Sequence, residues 1–241
     1  MECPKCHHPQ SDNGTECVSC GLIFAKYRER PPEAAVPPAP EQGRMSRILE
    51  YLLFSRPSTT EAAVYGRAAL LLFLFAWSWW FWLDSADGGY AGRSFMHLVN
   101  LPFHEAGHVF TRPLSSFMTS LGGSLGQLLM PAVCLSVLLF RTRDTFGAAV
   151  SLWWLGESFL DLSPYIGDAG SMTLPLIGGN TGRSAPYGFH DWNYILSEAG
   201  LLEHDQLLAG LARLAGTAFM VLALVWGGTV LLRAWRTERG S

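Results

Sequence analysis

Charge is scarce in this chain: only 15% of its 241 residues are Asp, Glu, Lys or Arg, while 49% are apolar and nine are Trp. An ordinary soluble domain of this length is excluded by that balance. The apolar residues fall in blocks, which favours an all-α, multi-pass membrane protein with a minor soluble part. No basic stub followed by an apolar run opens the chain, so no cleavable leader is expected. No basic patch interleaved with aromatics stands out, and no nucleic-acid partner is indicated. The chain shows no internal repeat, and its net charge of -3 speaks for no class of partner. Beyond residue 20 the only cysteine is Cys134, most simply a small buried hydrophobe.

What is present begins with the other four cysteines. Cys3-x-x-Cys6 and Cys17-x-x-Cys20 are two knuckles, and four thiolates complete the closed tetrahedral shell of a structural Zn²⁺. Residues 1–28 are thus expected to be a short zinc ribbon, too small to fold without its metal. Two disulfides are the alternative, disfavoured by the paired spacing and by a reducing compartment. Five prolines make residues 29–44 an extended linker. Residues 45–60 carry an amphipathic helix expected at the membrane surface, and 61–241 form the membrane-embedded domain. Within it, 62–83 can span, with Trp77, Trp79, Trp80 and Trp82 as an interfacial belt at its far end. Gly122–Phe140, Phe146–Ile166 and Leu211–Ala234 are further apolar blocks. Gly122 and Gly126 make a G-x-x-x-G pair suited to close helix approach. Segment 95–118, broken by Pro102 and Pro113, is a poor lipid-facing helix.

That poor segment contains His104-Glu105-Ala106-Gly107-His108, an H-E-x-x-H match. On a helix the two imidazoles stand one turn apart on one face and can reach a single Zn²⁺, with Glu105 turned towards the open coordination position as general base. A third ligand has to come from elsewhere. Asp161 is expected to supply it, from a helix in which Glu157 lies one turn earlier and can orient a histidine through its free N–H. Glu157 and Asp168 are the alternatives. Acids inside an apolar helix are functional candidates by default.

H-E-A-G-H in a membrane-embedded helix, a following glycine-rich turn and an acid in a later span resemble the site-2 protease group of intramembrane zinc metalloproteases. Where that family usually carries Asp-Gly, this sequence has Asp161-Leu-Ser-Pro and Asp168-Ala-Gly. The resemblance covers about residues 95–170 and implies His104, His108 and an aspartate on a catalytic Zn²⁺, with Glu105 as base; the ribbon lies outside it, and its structural ion makes two Zn²⁺ per chain. It implies an endopeptidase that hydrolyses peptide bonds of membrane-protein substrates. A non-enzymatic adaptor working through its ribbon, which would then bind a protein partner, and a metal sensor or transporter are the competing classes. A transporter would be expected to show two similar halves.

Four or five spans are compatible with the blocks. Four put Arg141, Arg143, Arg233, Arg236 and Arg239 on the same side as the arginines before the first span, and are favoured by the positive-inside rule. The expected location is the bacterial cytoplasmic membrane, with the ribbon in the cytosol.

Overall fold

The computed structural model describes residues 1–27, 43–53, 60–84, 89–177, 179–185 and 187–239. It divides into two compact units, Met1–Gly43 and Arg44–Ser241. The expected linker lies almost wholly outside the described residues.

In the N-terminal unit each knuckle folds on the same backbone plan. Cys3 N–H donates to His8 O and His7 N–H to Cys3 O, while Cys17 N–H donates to Leu22 O and Gly21 N–H to Cys17 O. The turn leaves the fifth residue of each knuckle in the left-handed region, His7 at φ 57° and Gly21 at φ 67°. Short antiparallel bridges, Glu2 with Pro9 and Glu16 with Ile23, close the knuckles.

The second unit is helical throughout its regular structure. Its helices are α1 (Arg44–Leu52), α2 (Glu61–Trp82), α3 (Phe95–Thr111), α4 (Ser116–Ser136, continued by a π-turn over Val137–Arg141), α5 (Thr145–Gly167), α6 (Asp191–Glu198) and α7 (Asp205–Arg239). Hydroxyls and a carboxylate start most of them. Thr60, Ser94, Ser115 and Asp144 each accept from the backbone N–H three residues on, satisfying an otherwise orphaned donor. Three helical stretches, Glu61–Trp82, Ser116–Arg141 and Leu202–Thr237, are long and apolar enough to cross a membrane. α5 has 23 residues but buries Glu157 and Asp161, and α3 has only 17.

Three sequence expectations change here. The helix carrying H-E-x-x-H runs through Pro102 and ends before Pro113. The glycines after it do not form a turn, because Ser115 caps a new helix and Gly122, Gly123 and Gly126 all lie inside α4. The last helix also starts earlier than expected, at Asp205.

Those glycines let α3 and α4 pack backbone on backbone. A Cβ on Gly126 would collide with Phe103 O, and one on Gly107 or Gly122 with the backbone of the other. α5 and α7 make the same kind of crossing, where a Cβ on Gly156 would lie 2.7 Å from Gly216 O. Helix ends meet at two poles. Arg67 packs over the Phe146 ring, Tyr51 OH donates to Leu139 O and Trp226 Nε1 to Leu52 O at one. At the other, Arg213 donates to Trp82 O and Asp84 O, and Gln206 Nε2 to Gly167 O.

Gly126→Ala and Gly156→Ala are expected to lower the thermal unfolding midpoint, each at an overpacking cost of about 1–3 kcal/mol or more. Gly210→Ala, where a Cβ meets nothing within 4 Å in a helix, is expected to hold or raise it. Unchanged midpoints for the first pair would contradict the close crossings.

Candidate metal centres

His104 and His108 project from one face of α3 with ring centroids 4.8 Å apart. The carboxylate that joins them is Asp191, the first residue of α6. Its Oδ2 lies 3.5 Å from His104 Nε2 and 3.3 Å from His108 Nε2. Ligands about 2.0–2.1 Å from a tetrahedral ion stand roughly 3.3 Å from each other, so these separations fit one shared ion. These three side chains form a group that could hold a metal. Gly123 supports the same reading. A Cβ there would fall 2.5 Å from Nε2 of both histidines, in the space an ion between them would share.

Each imidazole is held with Nε2 facing the site. His108 Nδ1–H donates to Thr119 O at 2.7 Å. His104 Nδ1–H donates to Gln127 Oε1 at 3.1 Å, and Gln127 Nε2 donates in turn to Asp161 Oδ2 at 2.9 Å. Such outer partners fix tautomer and ring orientation in metal sites. The side chain of Glu105 is exposed. Tyr165 reaches in from α5, donating its OH to Asp191 Oδ2 at 3.2 Å and accepting from Asp191 N–H at 3.0 Å.

The structure brings Asp191, not the expected Asp161, to the paired histidines. Asp161 does not reach the paired histidines. Its Oδ1 pairs with His97 Nδ1 at 2.8 Å, and its Oδ2 accepts from Asn100 Nδ2 and Gln127 Nε2. Among the described residues, Glu157 also does not join the paired histidines and has no hydrogen bond to a histidine. It is 0% exposed, and its Oε2 accepts from Asn100 Nδ2 at 2.9 Å. Asp168, the other alternative, caps the end of α5. Burial opposes its ionisation, but the Ser171 hydroxyl and the Thr173 and Leu174 amides hold its carboxyl below the ordinary value. It accepts from His190 Nε2 at 3.2 Å, and His190 Nδ1 in turn caps α6 by accepting from Asn193 N–H. Asp168 thus positions the residue before Asp191. Trp192, just after it, donates to Ser124 Oγ at 3.1 Å and ties α6 to α4 beside Gly123. Burial also works against Asp191, but the two imidazoles hold its carboxyl down at about 2.

In the sequence Asp191 is easily missed, because an acid is conspicuous inside an apolar helix and not in a polar loop. The acid instead arrives on a short helix after a loop rich in glycine, and the His190-Asp191 pair before an apolar-periodic segment was its only local mark.

In the N-terminal unit the four sulfurs of Cys3, Cys6, Cys17 and Cys20 cluster, with Cys3–Cys20 and Cys6–Cys17 each at 3.7 Å. A tetrahedral ion with bonds of about 2.3 Å requires sulfurs roughly 3.75 Å apart. The cysteines are free thiols, not disulfides, and the cluster could hold a metal ion. Comparison with protein-family models, with curated proteins and with solved structures finds no match to this chain.

Asp191→Ala is expected to remove one metal per chain and leave the cysteine-bound one, as read by metal analysis of the purified protein. Gln127→Leu should weaken the same site on the order of tenfold to a hundredfold. Full retention by Asp191→Ala, with loss in Asp161→Ala, would reverse the assignment.

Proposed function

We propose that the chain is a zinc-dependent intramembrane endopeptidase, with a zinc ribbon at its N-terminus. The observation that carries the reading is the convergence of His104, His108 and the Asp191 carboxylate on one point, with Glu105 one residue along from the first ligand. Three nitrogen and oxygen ligands leave a fourth position open, the pattern of catalytic rather than structural zinc. The four-sulfur cluster is closed, and suits a structural ion.

A zinc ion, when bound, would polarise a peptide carbonyl and acidify water. The remaining work falls to the chain. Glu105 takes the proton of the attacking water and delivers it to the leaving amine, a general base becoming a general acid. Gln127 and Thr119 O keep both Nε2 atoms turned to the site. Tyr165 holds Asp191 from both its N–H and its carboxylate, so it fixes the third ligand's rotamer. The resemblance to site-2 proteases agrees with this set, with Asp191 in the role of the family's aspartate.

In this reading α2, α4, α5 and α7 cross the bilayer and α3 does not. Four crossings bring Arg44, Arg47, Arg67, Arg141 and Arg143 to one pole, which the positive-inside rule puts in the cytosol with the ribbon. The metal centre lies towards the opposite pole, since its ligands meet the first turns of α4 and α6. Substrates are membrane proteins, cut in the half of the bilayer away from the cytosol.

The test pairs wild type with Glu105→Gln, reconstituted with single-span membrane-protein reporters. Cleavage is expected from the wild type alone, with two zinc ions in both proteins and cuts mapping to the non-cytosolic half. Equal cleavage by both, or cleavage that survives chelation, would refute the peptidase reading.

A further inference from the structure

The arginine-rich pole holds a second feature that the peptidase chemistry does not use. The end of α4 unwinds into a π-turn, where Thr142 N–H donates to Val137 O at 3.0 Å. π-Turns are uncommon and recur at functional places. This one presents Leu139 and Phe140 sideways towards α1. α1 is held off from it by Tyr51, whose OH donates to Leu139 O at 3.3 Å while the Arg143 guanidinium lies 3.7 Å over its ring. On the other side Trp226 Nε1 donates to Leu52 O at 2.7 Å. Between α1 and the π-turn the spacing leaves an open groove of about 670 Å³. That is within the range of about 300–1,000 Å³ typical of small-molecule sites.

The groove has two chemical zones. Ile48, Tyr51, Leu52, Leu139 and Phe140 make an apolar floor, of which Phe140 remains 67% and Ile48 44% exposed. Arg44 and Arg47 stand on the rim, three residues apart on α1 and so side by side. Among the described residues no carboxylate forms an ion pair with either. Two adjacent guanidiniums over a greasy slot match a ligand with an anionic head and an alkyl tail. We propose that this groove binds one anionic phospholipid, its phosphate bridging Arg44 and Arg47 and its upper acyl chain lying along Ile48, Leu52 and Phe140. Charge selects the headgroup. A zwitterionic lipid brings a cation to the same rim, whereas phosphatidylglycerol brings net negative charge to two arginines. The inference rests on the membrane placement and not on the peptidase assignment, so the bound lipid is expected whether or not Glu105→Gln abolishes cleavage.

The test is native mass spectrometry of the full chain in detergent, titrated with phosphatidylglycerol or with phosphatidylcholine of identical chains. One phosphatidylglycerol adduct is expected at a lipid concentration on the order of tenfold lower than phosphatidylcholine requires. The Arg44→Gln/Arg47→Gln pair should lose that preference, and Arg233→Gln/Arg236→Gln, with the same charge change away from the groove, should keep it. Ile48→Asn leaves both arginines in place and should weaken both lipids alike, which covers the case in which the double variant fails to fold. Equal binding of the two lipids, equal loss in both arginine pairs, or displacement of the adduct by millimolar inorganic phosphate would overturn the proposal, the last by pointing to a soluble anion.

Discussion

The geometry around His104 and His108 follows from how closely α3 and α4 approach. Gly107, Gly122 and Gly126 remove the side chains that would keep the two backbones apart, and at each of them a Cβ would strike the other helix. In a lipid-facing bundle, where apolar burial drives little association, such contact is what packs helices. The same approach sets Gly123 against the two imidazoles, brings Thr119 O to His108 and aims Gln127 at His104. A helix pair with ordinary side chains at these positions would stand a few ångströms wider and lose all three contacts.

Behind that pair lies a buried polar network, costly in an apolar setting unless satisfied. Asn100 bridges Glu157 and Asp161 through Nδ2 and accepts from Trp154 Nε1 at 2.8 Å, and Asp161 closes onto His97 and Gln127. Asp161 is therefore engaged with His97, Asn100 and Gln127. Among the described residues Glu157 meets only Asn100, and leaves its Oε1 buried without a hydrogen-bond partner. The link from Asp161 to His104 runs through a single amide, Gln127, which ties the placement of α5 to the ligand geometry on α3. On the other side Asp168, His190 and Tyr165 hold the start of α6, so Asp191 is delivered to the site by its own scaffold.

Much of this was legible in the residues. The cysteine knuckles, the H-E-x-x-H face, the spans at 62–83 and 122–140 and the awkwardness of 95–118 all rest on local rules of spacing and hydropathy, and the structure has helices and a four-sulfur cluster where they point. The glycines around 122–126 were read correctly as close-packing residues and incorrectly as a turn, because Ser115 capping a helix through them is a stronger local signal than glycine's flexibility. The carboxylate that joins the two histidines was not legible. Periodicity can tell that Glu157 and Asp161 share a face, but not that His97 and Asn100 occupy that face. Nor can it show that a loop closed by Asp168 folds His190 and Asp191 back over the histidines.

The proposed function depends on a metal held by His104, His108 and Asp191. The most direct measurement is an anomalous difference map at the zinc edge from crystals of the full chain. Two peaks are predicted, one among Cys3, Cys6, Cys17 and Cys20, and one about 2.0–2.2 Å from His104 Nε2, His108 Nε2 and an Asp191 oxygen. A single peak at the cysteines, or a second one seated on His97 and Asp161, would contradict it.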